Sequence, residues 1–336
     1  MAVAPLGPQG LIERVLAGEP LALARAMSWV EELDEHADAL LAALFPRLGN
    51  AWRVGVAGPP GAGKSTLCCQ LARSWRGRGL RVGVVAVDPS SPLSGGALLG
   101  DRIRFRDLAT DPGVFIRSLA SRGSLGGLSL AAGRVADVLD AAGFDVVLLE
   151  TVGMGQVGED VRDEADTTVV MLVPESGDGV QAMKAGLLEL ADVLVVNKMD
   201  RPGGADLLRQ LALAGARAGR PAAGESQGAA PAWEVPLLGT SATSGEGLGP
   251  LSDALENHRQ WLRRTHGGRA EDDVFWRRRF LRLAETMLVR NFRRRLAADA
   301  ALAGTLEAVR RGERALGPLL AEILERHGGG PVAPSS

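Results

Sequence analysis

The chain has 336 residues, 46% hydrophobic and 23% charged, enough for one large α/β domain with helical additions or for two small domains. Its 38 basic and 40 acidic residues leave a net charge of −2, without the basic excess of a general nucleic-acid binder, so no nucleic-acid partner is expected. No apolar run approaches the ~18 residues needed to span a bilayer, and the N-terminus lacks a basic-then-apolar signal pattern; a cytoplasmic protein with no membrane partner is expected.

Apolar residues first recur at helical spacing, through Leu11, Val15, Leu23, Ala26, Val30, Leu40 and Leu44. That spacing predicts two or three helices in an N-terminal segment over 1–48. The pattern then changes to short apolar runs at 54–57, 82–87, 114–116, 146–149, 168–173, 193–196 and 235–238, each bounded by glycine or polar turns. Continuous rather than alternating runs fit strands buried on both faces, hence an α/β fold with a mostly parallel central sheet flanked by helices over 49–256. A helix is expected at 206–218, followed by a loop rich in Ala, Gly, Arg and Pro.

Beyond His258 the chain turns basic and helical, with Arg277-Arg278-Arg279 and Arg293-Arg294-Arg295. Leu281, Leu283, Met287 and Leu288 are interleaved, which predicts a packed helix with a solvated basic face in an extension over 257–328. The tail over 329–336 is expected to lack fixed structure. The two cysteines, Cys68 and Cys69, are neighbours on a predicted helix and point about 100° apart, which suits core residues rather than a disulfide or a metal clip.

Residues 58–65 read Gly-Pro-Pro-Gly-Ala-Gly-Lys-Ser, a complete phosphate-binding loop between a predicted strand and a predicted helix at 65–74. Gly58, Pro59, Pro60, Gly61, Ala62 and Gly63 would turn backbone N–H groups toward phosphate oxygens, reinforced by the helix dipole. Lys64 would bridge the β- and γ-phosphates, and Ser65, followed by Thr66, would place its hydroxyl on Mg²⁺. The run at 193–196 ends in Asn197-Lys198-Met199-Asp200. A carboxylate at Asp200 accepts two N–H bonds from guanine N1 and N2, donors that adenine lacks, which selects GTP and GDP over adenine nucleotides. Ser241, Ala242 and Thr243, after the last strand, fit a loop whose backbone caps the base.

Asp88, Asp101 and Glu150 end or follow strands at the carboxyl edge of the sheet, where a ligand sits and where acidic oxygens can hold Mg²⁺. By spacing alone Asp101 reads equally as a solvated loop residue. Gly153-Met154-Gly155-Gln156 follows Glu150. The glycines permit close approach to a γ-phosphate, and Gln156 either orients the attacking water or is a polar switch residue without catalysis. No strong general base is evident, so slow intrinsic hydrolysis is expected. Arg102, Arg104, Arg117 and Arg122 are candidates to neutralise transition-state charge. The four histidines, His36, His258, His266 and His327, lack ligand spacing.

Taken together, 58–66, Val87-Asp88-Pro89-Ser90-Ser91, the stretch 94–101, and those at 121–127, 150–156 and 197–200 resemble the MeaB/MMAA family of G-protein chaperones, also called ArgK. The resemblance runs over nearly the whole chain. It implies a GTPase that gates adenosylcobalamin loading and protects or reactivates a cobalamin-dependent acyl-CoA mutase, usually methylmalonyl-CoA mutase. It implies a homodimer formed through the C-terminal helical extension, and a magnesium role for Asp88, Asp101 and Glu150. It also implies that a segment containing Asp178, Gln181 and Lys184 relays nucleotide state to the mutase. The chain departs from the family pattern at Val157-Gly158 and at Pro174-Glu175-Ser176-Gly177, both in switch-like loops. The alternatives are a nucleotide-dependent kinase of an amino-acid transport system, which the guanine motif disfavours, and a metal-insertion GTPase, which would need a cysteine- or histidine-rich relay.

Overall fold

The computed structural model of the chain describes residues 8–32, 36–88, 105, 107–120, 130–151, 163–174, 187–213, 232–267, 273–298, 307 and 309–328. Seven strands among them form one sheet: β1 (Trp52–Ala57), β2 (Val82–Asp88), β3 (Val114–Ala120), β4 (Val146–Glu150), β5 (Thr167–Leu172), β6 (Val193–Val196) and β7 (Leu237–Gly239). Their order is β3-β2-β4-β1-β5-β6-β7, and every neighbouring pair is parallel. The described helices are α1 (Pro8–Leu16), α2 (Pro20–Glu32), α3 (Ala37–Leu44), α4 (Lys64–Gly77), α5 (Leu130–Ala141), α6 (Gly204–Leu213), α7 (Leu248–His266), α8 (Asp273–Ala298) and α9 (Leu316–Gly328).

Successive side chains of a strand point to opposite faces, and here both faces are covered. Val82, Val84, Val146 and Leu148 pack with Leu67, Leu71 and Trp75 of α4 and with Leu251 and Leu255 of α7. Val85, Val87, Val147 and Leu149 point the other way, into a cluster built by α5 and the three N-terminal helices. The helices α1–α3 therefore share a core with one face of the sheet. Both cysteines are buried on α4, and burial, opposed by Arg73, raises the Cys69 thiol pKa.

Several ends differ from the sequence expectation. β3 continues to Ala120 through Arg117 and Ser118, which interrupt its apolar run. β7 begins after Pro236, which has no N–H to give a ladder. The described part of the helix expected at 206–218 is α6, which starts two residues earlier.

By contacts the chain divides into two compact units, 1–272 and 273–336, so the expected boundary at 256/257 falls inside α7. Within the second unit α8 packs against α9. The apolar residues predicted to pack on α8 are in large part uncovered in the single chain, with Leu281 at 52% and Leu288 at 66% exposure. No helix among the described residues is long and apolar enough to cross a membrane.

A buried charge cluster anchors the amino end of β1. Arg53 is fully buried and donates to Asp137 at 2.7 Å, with Asp140 at 3.5 Å and Glu164 at 3.9 Å. Burial alone would lower the guanidinium pKa, but Asp137 and then Asp140 and Glu164 outweigh it, so the net shift is upward and the cation stays charged. Asp140 also accepts N–H bonds from Gly49, Asn50 and Ala51 at 2.9, 3.0 and 2.8 Å, fixing the chain's entry into the sheet. Removing one member of such a cluster leaves buried charge uncompensated. Arg53→Met should therefore lower unfolding stability by about 3–5 kcal/mol, measured by urea denaturation; a loss below about 1 kcal/mol would contradict this account.

Candidate nucleotide site

The loop 58–63 joins β1 to α4, and backbone geometry demands two of its glycines. Gly58 has φ +152°, and a Cβ there would lie 2.4 Å from the Met171 carbonyl oxygen of β5. Gly63 has φ +92°, and a Cβ there would lie 2.6 Å from Asn197 Nδ2. The first contact is with backbone, and the second is with a side-chain amide that three hydrogen bonds hold in place. The turn is closed by the Ala62 N–H bond to the Pro59 carbonyl at 3.1 Å. Lys64 is buried, and its ammonium donates to the Gly58 and Pro59 carbonyls at 3.0 Å each, which holds the cation against the loop.

At the first turn of α4, Ser65 Oγ donates to Glu150 Oε1 at 2.5 Å, and both residues are buried. Glu150 ends β4 level with Val56 of β1 and Ala86 of β2, so the sheet register delivers its carboxylate to the phosphate loop. A hydroxyl and a carboxylate oxygen brought together here are the hard donors a divalent cation such as Mg²⁺ takes, so the pair fits that ion. Asp88 closes β2 two residues beyond the level of Glu150. Among the described residues no three His, Cys, Asp or Glu side chains gather as a metal cluster.

Asn197, buried just after β6, joins the two halves of the site. Its Nδ2 donates to the Ala62 carbonyl at 2.7 Å, and its Oδ1 accepts from Thr240 Oγ1 and from the Ala242 N–H, both at 3.0 Å. Lys198 follows with φ +61°, the one non-glycine residue with positive φ among the described residues. Asp200 is exposed; the Ser241 hydroxyl and then its own backbone N–H hold its carboxyl below the usual carboxylate range. The acceptor is thus ionised at neutral pH. Ser241 is fixed by a bridge to Glu246, and its hydroxyl lies 3.3 Å from Thr243 Oγ1.

Gly61, Gly63, Thr66, Asn197, Lys198, Asp200, Arg201, Ala242 and Thr243 line one cleft of about 360 Å³. The phosphate loop and the base motif, far apart in sequence, thus face a single cavity at the carboxyl ends of the strands. Sequence reasoning missed Thr240 and Arg201. Each adjoins a motif residue, but nothing in its type marked it beforehand.

Gln156, Asp101, Asp178, Gln181 and Lys184 lie outside the described residues, as do Arg102, Arg104 and Arg122. Arg117 does not serve the cleft. It pairs with Glu31 at 2.5 Å and donates to Ser28 at 3.2 Å, both on α2, because mid-strand in β3 it faces the N-terminal helices. His258 is buried, with Nδ1 2.9 Å from Thr167 Oγ1 and Nε2 3.6 Å from Asp192, in one ring cluster with Trp233 and Trp261. That is a packing role.

Residues 23–296 match the family model described as methylmalonyl-CoA mutase-associated GTPase MeaB. A protein of Pyrococcus abyssi named as a GTPase is 47% identical over 255 residues, covering 76% of this chain and 77% of its own. The mouse methylmalonic aciduria type A homolog, named as mitochondrial, is 36% identical over 211 residues, covering 61% of this chain and 48% of its own. A crystal structure named as an LAO/AO transport system kinase is 27% identical with a TM-score of 0.67, covering 97% of this chain and 99% of its own.

The contact between Gly63 and Asn197 yields a direct expectation. Gly63→Ala should destabilise the fold by about 1–3 kcal/mol through left-handed strain and displacement of the Asn197 amide. Chemical denaturation checks it, and an unchanged midpoint would refute the close approach.

Proposed function

The chain belongs to the MeaB family of methylmalonyl-CoA mutase-associated GTPases, and on that premise we propose that it gates adenosylcobalamin loading into a cobalamin-dependent acyl-CoA mutase and protects or reactivates it, with methylmalonyl-CoA mutase the first candidate client. In this reading GTP hydrolysis times the encounter. The observation that carries it is the single cleft uniting the phosphate loop with the Asn197–Asp200 motif, in a chain of this family.

Residues 58–66 take the phosphates, and Lys64 supplies the cation for the β- and γ-phosphates. Asn197, Lys198, Asp200, Ser241, Ala242 and Thr243 take the guanine base. Ser65 and Glu150 would hold Mg²⁺, with Asp88 and Asp101 supporting it. That ion would neutralise charge on the phosphate oxygens. Gln156 orients the attacking water, and Asp178, Gln181 and Lys184 relay nucleotide state to the mutase. The uncovered apolar residues of α8, among them Phe280 and Leu288, support a homodimer formed through the second unit.

The transport-kinase reading draws on the name of the similar crystal structure. The guanine motif and the family model favour the mutase reading. GTP hydrolysis by the full chain should accelerate when a cobalamin-dependent acyl-CoA mutase is added. No acceleration with any such mutase would overturn the chaperone reading and return the kinase reading to the front. Separately, Asp200→Ala should weaken GDP binding by about 10- to 100-fold while leaving ADP binding unchanged, because two bonds to a charged acceptor are lost. Calorimetry showing the same GDP-over-ADP preference in variant and wild type would defeat the assignment of the base site.

A further inference from the structure

Both backbone polar groups of Ala242 are held, the N–H by Asn197 after β6 and the carbonyl by α4, the helix that begins at the phosphate loop. The N–H donates to Asn197 Oδ1 at 3.0 Å, and Asn197 reaches back to Ala62 of the loop at 2.7 Å. The Ala242 carbonyl accepts from Gln70 Nε2, also at 3.0 Å. Gln70 is half-buried on α4, one turn beyond Thr66, which lines the cleft, so the two share a helix face. At the C-cap of the same helix, Arg78 donates to Ser252 Oγ of α7 at 2.8 Å, tying the end of α4 to the helix that follows the capping loop. The result is a closed ring: phosphate loop, Asn197, Ala242, Gln70 and back along α4.

A planar trans peptide points its carbonyl and its N–H in opposite directions. Holding the Ala242 carbonyl therefore fixes the direction of the Thr243 N–H, and Thr243 lines the cleft. A fixed amide donor suits the 6-oxo group of guanine, an acceptor, and opposes the 6-amino group of adenine, a donor. We infer that Gln70 is a positioning residue for base recognition: through Ala242 it sets the capping-loop donor that reads the purine 6-position, separately from Asp200, which reads N1 and N2. This rests on the guanine reading of the cleft.

The test compares nucleotides within one protein preparation, so loss of active fraction cancels. Gln70→Met keeps chain length without the donor, and Gln70→Glu keeps shape while setting a carboxylate against a carbonyl. Affinities of the full chain are measured by calorimetry for GDP, IDP, ADP and 2,6-diaminopurine riboside diphosphate. IDP differs from GDP in lacking the 2-amino group; the diaminopurine keeps that group, carries an amine at the 6-position and lacks the N1 proton, a loss common to wild type and variant that cancels when their preferences are compared. In both variants the preference for GDP over the diaminopurine nucleotide should shrink by about three- to tenfold, while the GDP-to-IDP ratio stays within about twofold. Unchanged preference, or equal weakening of all four nucleotides, would overturn the inference and leave Gln70 a structural staple. Failure of the wild-type chain to prefer GDP over ADP would instead overturn the guanine reading itself, and this inference with it.

Discussion

The side-chain amide of Asn197 joins three segments that are remote in sequence. It donates to the phosphate loop at Ala62 and accepts from Thr240 and Ala242 of the capping loop. Because it is buried, losing any of these bonds would strand a polar group away from water, which costs more than the bond contributes when made. The amide therefore couples the two halves of the cleft, so that the phosphate loop and the loop at 240–242 are fixed relative to one another. Gly63 makes the approach possible, because a side chain there would occupy the place of the amide.

The sheet brings these pieces together. Parallel strands all deliver their carboxyl ends to one edge, and β1, β5 and β6 are successive neighbours. The loop after β1 and the motif after β6 thus meet across the end of β5, whose Met171 carbonyl abuts Gly58. On the other side of β1, β4 presents Glu150 to Ser65. The opposite end of β1 has a different task. There Arg53 and its carboxylates lock the strand to α5 and to the entry from the N-terminal helices. Anchoring and ligand chemistry occupy opposite ends of one strand.

The strands at 82–87 and 193–196 were legible because valine-rich runs of that length, buried on both faces, have few other uses. β3 was read too short because Arg117 looks like a strand terminator. It is tolerated mid-strand only because Glu31 and Ser28 on α2 meet it, and that pairing is invisible in the local sequence. The same pairing removes Arg117 from the candidates for transition-state charge. The apolar residues of α8 were expected to be packed, and in the single chain many are uncovered. Periodicity reports that a helix has an apolar face, and it does not say what covers that face.

The sequence by itself determined the phosphate loop, the guanine motif and the parallel α/β class. Each is encoded over a few adjacent residues by glycine conformational freedom, by charge, or by continuous hydrophobicity. Only the tertiary structure decided that Arg201 lines the cleft, that Thr240 and Gln70 hydrogen-bond to residues that line it, and that Arg117 faces elsewhere. It also decided that α1–α3 share the core of the sheet. These outcomes rest on hydrogen bonds and contacts between residues far apart along the chain. Such bonds are made or missed by a few tenths of an ångström of backbone placement, which local composition does not carry.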